Sequence, residues 1–217
     1  LSLGDDLWKV VDAVGGALWA ATYVLILRRG SLDRAPGVPL PALCAAISWE
    51  FLFTVVHPIA VLPPLVVALW LAIDAGILYQ YLRYGPAEER RTGSCPPALF
   101  HVRLVASLGI ALVVLDALVR DWHDWDGAYT GYAVNVIISL SFIAMLARRR
   151  DLRGQSMYIA LGKLFGSLVA IPHAYVLHGA LRSLRAFMAI TVLADVVYAV
   201  LLFRQMRCQG IRPWRRV

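Results

Sequence analysis

Cysteine is scarce and unpaired in this 217-residue chain. Cys44, Cys95 and Cys208 fall in different segments, with no CxxC pair and no metal-ligand spacing. They read as free thiols, which excludes a disulfide scaffold and a structural zinc site. Charge is also scarce, at 16% of residues, where soluble domains carry about 25%. There is no internal repeat and no low-complexity tract. No basic stretch precedes the first apolar run, where Asp5 and Asp6 stand, so that run does not read as a cleaved signal peptide. No stretch between apolar runs is long enough for a soluble domain, so any chemistry is expected inside those runs.

What the chain has instead is apolar: 60% hydrophobic residues and a mean hydropathy of +0.67. An integral membrane protein is expected. Seven apolar segments can be marked, at 7–27, 42–60, 61–82, 100–118, 128–147, 156–177 and 183–203. Each is roughly 20 residues, enough to cross a ~30 Å hydrocarbon core at 1.5 Å per residue. The expectation is an all-α bundle of seven transmembrane helices, with residues 1–217 as a single transmembrane domain. His57-Pro58 and Pro63-Pro64 mark a tight hairpin between the second and third spans. The stretch from Arg83 to Pro97, with Glu88-Glu89-Arg90-Arg91, reads as a solvated cytoplasmic turn. Asp121-Trp122-His123-Asp124-Trp125-Asp126 reads as a solvated outer turn.

The net charge of +7 comes almost wholly from arginine. A basic balance can signal nucleic acid, but these residues flank the spans and follow alternate ends. Arg28, Arg29 and Arg34, then Arg83, Arg90, Arg91 and Arg103, then Arg148, Arg149, Arg150 and Arg153, then the C-terminal arginines fall on one side. The other side holds only Lys9, Arg120, Arg182 and Arg185. That asymmetry predicts an outer N-terminus and a cytoplasmic C-terminus, with the bilayer as partner and no nucleic acid. Trp8, Trp122 and Trp125 fall at outer ends, where an aromatic belt belongs. The Ala/Val/Arg/Leu-rich composition favours a bacterial plasma membrane; in a eukaryote the endoplasmic reticulum is the alternative. Oligomeric state is not legible.

Six charged residues lie within the spans: Asp12, Glu50, Asp74, Asp116, Lys163 and Asp195. A charge at mid-membrane costs about 2.5–3.5 kcal/mol on insertion scales, so each is a functional-site candidate by default. Asp116 has Arg120 four residues on, the spacing of a helical ion pair. Asp12, one turn inside its span, suits an interfacial or capping role as well as a functional one. Lys163 either snorkels or pairs with a carboxylate inside the bundle. Glu50, Asp74 and Asp195 lie near mid-depth on three different helices and could converge on one cavity. Apolar surroundings disfavour the charged form of an acid, which makes a proton donor of Glu50 or Asp195.

Neighbours at helical spacing extend these sites. Phe53, Thr54 and His57 follow Glu50 at i+3, i+4 and i+7, beside Trp49. Thr191 and Tyr198 flank Asp195 at i−4 and i+3, and Tyr132, Asn135, Ser139 and Phe142 form a polar–aromatic stripe on the fifth span. Gly162, Gly166 and Ala170 read as a packing seam. A few acids among aromatic walls is what carbocation chemistry requires: the acid starts the cation, aromatic faces stabilise it, and water must be excluded.

The chain resembles the small seven-helix integral membrane terpene cyclases of meroterpenoid and indole-diterpene pathways. The resemblance rests on Trp49-Glu50, Asp74, Asn135, Gln155-Ser156, Lys163-x-x-Gly166-Ser167 and Asp195-x-x-Tyr198, and covers nearly the whole chain. It implies that Glu50 and Asp195 are the catalytic acids. It also implies that a prenylated small molecule, farnesyl or geranylgeranyl, is cyclised by protonation of an epoxide or terminal alkene. In keeping with it, no span carries an Asp-rich magnesium motif, and no metal or cofactor is expected. A proton-coupled transporter is the rival class, since mid-membrane acids also relay protons; repeats and broken helices, usual in transporters, are not evident. A retinal protein needs a Schiff-base lysine, usually in the last span, and the seventh has none.

Overall fold

Long apolar runs in a chain poor in interior helix breakers fold as helices, because only a helix satisfies its own backbone groups within a bilayer. In the computed structural model the described residues are 3–59, 64–93, 96–149, 151–179 and 181–217, with side chains from Leu7 onward. Pro63, Cys95 and Arg150, and with Pro63 the tip of the expected hairpin, lie outside them. Seven helices result: α1 (Leu3–Asp33), α2 (Leu40–Phe51), α3 (Pro64–Thr92), α4 (Phe100–Trp122), α5 (Ala128–Arg149), α6 (Met157–His178) and α7 (Arg182–Cys208). Six of them are long and apolar enough to cross a membrane. The seventh, α2, is shorter: with the π-helical turn Leu52–Val56 that extends it, it makes an apolar helix of Leu40–Val56, so six of the seven expected spans are matched by helices of spanning length.

The helices close into a ring in the order α1, α3, α2, α5, α7, α6 and back to α1, with α4 packed on the outside of α2. Val102, Val105, Ile110 and Val113 of α4 are exposed, as a lipid-facing surface requires. The seam between α1 and α6 is built on small residues. A Cβ on Gly162 would meet the Thr22 hydroxyl at 2.2 Å, and one on Gly166 would meet the Trp19 indole at 2.9 Å. The glycines therefore set how closely the two helices approach.

The two ends of the bundle use different chemistry. At one end, histidines pair with carboxylates: His57 with Asp116 at 2.7 Å, His173 with Asp12 at 2.8 Å and His178 with Asp126 at 2.6 Å. Asp116 also takes Arg120, at the expected i+4 spacing and 2.9 Å. The opposite end is held by arginines, and there the solvated-turn reading of Arg83 to Pro97 is corrected. Helix α3 runs on through Pro86 to Thr92, and Glu88 and Glu89 are buried at 5% exposure each. Glu88 binds Arg91 at 2.7 Å, Arg153 at 2.6 Å and Arg149 at 3.0 Å, while Glu89 takes Arg103 and the Tyr81 hydroxyl. Apart from Arg91 and Tyr81 of α3 itself, the partners come from α4, α5 and the α5–α6 link, out of reach of a local reading. Arg149 also donates to the Pro36 carbonyl at 2.9 Å, and Asp33 accepts from Arg29, Arg216 and the Gly154 amide. The three connections at this end and the C-terminus are thus tied together. Lys163 pairs inside the bundle and does not snorkel.

Removing one partner of a buried ion pair leaves the other charge uncompensated. Glu88→Ala is therefore expected to cost about 3–5 kcal/mol, read as a lowered unfolding midpoint in detergent. An unchanged midpoint would rule out the arginine end as the tie that holds the links.

Candidate active site

Glu50 ends the regular part of α2. Immediately after it the backbone widens into the π turn, in which the His57 amide donates to the Leu52 carbonyl five residues back, at 2.7 Å. Single π turns inside helices recur at functional sites because they re-aim side chains. Here the extra residue per turn breaks the 3.6-residue register assumed for Phe53, Thr54 and His57. His57 leaves the Glu50 face and binds Asp116 instead. Phe53 packs on Trp49 at 4.8 Å between ring centroids, and the buried Thr54 hydroxyl finds no partner.

The Glu50 carboxyl is 3% exposed and lines a cavity of about 180 Å³. The walls are Trp19 and Tyr23 of α1, Ala46 and Trp49 of α2, Trp70 of α3, Tyr132, Val134, Asn135 and Ile138 of α5, and Ala170 of α6. The Tyr23 phenol faces the Glu50 carboxyl, and Asp74 is its acidic neighbour. Oε2 of Glu50 and the Tyr132 hydroxyl have no protein partner. Unpartnered buried polar atoms are costly, and these two border the same space.

Trp49 is held in this wall by a relay. Its indole N–H donates to Thr130 Oγ1 at 3.1 Å, and that hydroxyl donates to Asp124 at 2.7 Å. Asp124 also accepts the Tyr129 and Thr130 amides, two donors that the first turn of α5 would otherwise leave unmet. Gly127 gives the indole room: its φ is +74°, and a Cβ there would lie 2.7 Å from the Trp49 ring. The reading of 121–126 as a wholly solvated turn is thus corrected for Asp124, which is 1% exposed. Burial pushes its carboxyl above the usual range, against the hydrogen bonds that favour its charged form.

Deeper in the bundle a second cavity, of about 20 Å³, adjoins the first through Trp19, Tyr23, Ala46 and Ile138. It is lined by Asp74 and Lys163 and is about large enough for one water. The Lys163 ammonium lies 2.7 Å from Asp195 Oδ1 and 3.3 Å from the Ser139 hydroxyl, over the Phe142 ring at 4.7 Å and near that of Tyr198 at 5.9 Å. The Tyr198 hydroxyl donates to Gln155 at 3.2 Å, and Thr191, fully buried, has an unpartnered hydroxyl.

The candidates therefore fall into two groups. Glu50, Trp49, Tyr132 and Asn135 line the large cavity, with Phe53 behind Trp49. Asp195, Ser139, Phe142 and Tyr198 surround Lys163, with Thr191 one turn away. Asp74 lies between them. The expectation that Glu50, Asp74 and Asp195 converge on one cavity is corrected: Glu50 lines the first and Asp74 the second, while Asp195 lines neither and pairs with Lys163. Trp19, Tyr23 and Trp70 were missed. The first two are four residues apart on one helical face, a signal that was available.

Lys163→Met is expected to cost about 3–5 kcal/mol by stranding the Asp195 charge. A Lys163→Met/Asp195→Leu double variant should recover most of it, measured as unfolding midpoints in detergent. Equal losses in the single and double variants would show that the pair itself is not what the fold depends on.

Comparison with known proteins bears on these cavities. A family model of Pyr4-like transmembrane terpene cyclases matches residues 6–207. The Pyr4-family terpene cyclase mfmH of Annulohypoxylon moriforme is 29% identical over 157 residues, which is 71% of this chain and 64% of the relative. Terpene cyclase macJ of Penicillium terrestre is 26% identical over 73% of this chain and 62% of its own length. Terpene cyclase ascF of Acremonium egyptiacum is 25% identical over 91% of this chain and 81% of its own. The aligned part thus spans somewhat under two thirds of the first two relatives. No solved structure matches. With the family match running from the first helix to the end of the last, the chain belongs to the Pyr4-like transmembrane terpene cyclases.

Proposed function

We propose that the chain is an integral membrane terpene cyclase in which Glu50 protonates the distal epoxide or alkene of a prenylated substrate lying in the aromatic cavity. The observation that carries this reading is the Glu50 carboxyl in that wall, with Oε2 free of any protein partner. Asp195 is a poorer candidate because its Oδ1 is engaged by Lys163 at 2.7 Å and it lines neither cavity. Its part is to hold Lys163, which with Asp74 lines the space behind the acid.

The steps follow from charge. The Glu50 O–H bond breaks toward the epoxide oxygen or the terminal alkene carbon, and a cation forms. The Tyr23 phenol, facing Glu50, stabilises the new carboxylate without rearrangement. Ring closure moves the positive charge along the chain between the faces of Trp19, Trp49, Trp70 and Tyr132. Loss of one proton to a base ends the sequence, so the product is an isomer of the substrate. The aromatic wall offers water few hydrogen-bond partners beside the cation, which disfavours trapping. We further propose that the arginine end is cytoplasmic; labelling from outside the cell of a cysteine placed at the exposed position 148, or failure to label one at the exposed position 121 from there, would refute that.

A proton-moving role is the second reading, since Glu50, Asp74, Lys163 and Asp195 follow one another from the cavity into the core. Product analysis separates the two. Purified protein given a farnesylated resorcinol with a terminal epoxide is expected to yield cyclised material of unchanged mass. Glu50→Gln, which keeps shape and removes the acid, should lower turnover by about 10²–10⁴-fold or more, while Asp116→Asn should cost far less. Substantial cyclisation by folded Glu50→Gln would remove Glu50 as the acid. In D₂O, one deuterium at the initiation carbon marks alkene protonation, and none there marks epoxide opening.

A further inference from the structure

The aromatic cavity does not end at Trp49. Through Trp19, Trp49, Trp70, Tyr132 and Ala170 it continues into a wider vestibule of about 240 Å³ at the histidine end of the bundle. Together the two are on the scale of a small-molecule pocket, ~300–1,000 Å³. Their chemistry differs. The inner part offers aromatic and aliphatic surface around Glu50. The vestibule adds two histidine–carboxylate pairs, His173 with Asp12 and His178 with Asp126.

Each pair is partly buried and fixed from behind. His173 gives Nδ1 to Asp12 and stacks on Trp8, with ring centroids 5.1 Å apart and planes 6° from parallel. His178 gives Nε2 to Asp126 and takes the edge of Tyr129 at 5.4 Å. With one nitrogen of each ring engaged, the other is left to meet a ligand. Tyr132 stands where the two spaces join, 6% exposed, its hydroxyl without a protein partner. Among the described residues lining the vestibule none is a lysine or arginine. A phosphate or carboxylate there would meet two carboxylates and no obligate cation. A neutral hydroxyl suits it: it can donate to a ring nitrogen or to an aspartate and accept from Tyr132. The indoles of Trp19, Trp49 and Trp70 supply flat apolar surface beside it.

We infer that this vestibule is a head-group subsite, in which the His173–Asp12 and His178–Asp126 pairs and Tyr132 select an uncharged, hydroxyl-bearing ring and so feed the prenyl tail, distal end first, toward Glu50. The inference rests on the cyclase reading for the identity of the tail. It adds which end of the substrate enters first, and which residues distinguish one head from another.

The test is a binding measurement, independent of turnover. Quenching of tryptophan fluorescence is followed as detergent-solubilised protein is titrated with farnesylated resorcinol, with its di-O-methyl ether and with farnesyl diphosphate. The free diol is expected to bind at least tenfold more tightly than either of the others. His178→Gln keeps an amide N–H for Asp126 but removes the second ring nitrogen, and His173→Asn does the same for Asp12. In the double variant the preference for the diol over its ether is expected to fall to about twofold or less. Tyr132→Phe should reduce it in part. Equal affinities for diol and ether in the unaltered protein, or an undiminished preference in the folded double variant, would overturn the subsite. If the preference is present but the epoxide of the same diol is not cyclised, the subsite stands and the cyclase reading fails.

Discussion

Lys163 and Asp195 lie 2.7 Å apart with neither side chain reaching the surface, and much of the interior is arranged to make that tolerable. Two charges in an apolar bundle need close geometry and further hydrogen bonds to offset their desolvation. Ser139 supplies an oxygen, Phe142 and Tyr198 supply ring faces, and Gln155 fixes Tyr198. These residues come from α5, α6, α7 and the α5–α6 link. The pair therefore locates three helices against one another. It also uses up one of the two acids that the family resemblance marks, which leaves Glu50 as the carboxyl with a free oxygen on the aromatic cavity.

The division of labour follows from how each acid is solvated. Asp195 has a cation. Asp124 has two amides and a hydroxyl. Glu88 has three guanidinium groups. Glu50 has the Tyr23 phenol and the Asp74 carboxyl beside it, and its Oε2 has no protein partner. The same bundle thus sets Asp195 and Glu88 against cations, Asp124 against amides and a hydroxyl, and leaves a Glu50 oxygen open to the aromatic cavity.

Composition and the period of apolar runs made the seven helices legible, and the cost of a mid-membrane charge picked out Glu50, Asp74, Lys163 and Asp195 before any contact was known. Pairing was not legible. Which acid takes Lys163 depends on the rotation of α6 and α7, and nothing local encodes it. The π turn after Glu50 hid the fate of His57, because a register argument assumes regular winding. Glu88-Glu89-Arg90-Arg91 looked like surface because its buried partners lie on other helices. The aspartate and tryptophan loop looked solvated for a related reason: the hydrogen bonds that bury Asp124 are made to the backbone of the next helix, which sequence does not display.

The Lys163–Asp195 contact also has a consequence for how the protein is made. Each residue sits deep within a helix that must leave the translocon for lipid, and each alone carries an insertion penalty of about 2.5–3.5 kcal/mol. The helices that bear them, α6 and α7, are consecutive and joined by a short link. Partitioning them as a hairpin, with the charges already joined, avoids presenting either to hydrocarbon alone. A charge pair shared by neighbouring helices thus favours their entry into lipid together over entry one at a time.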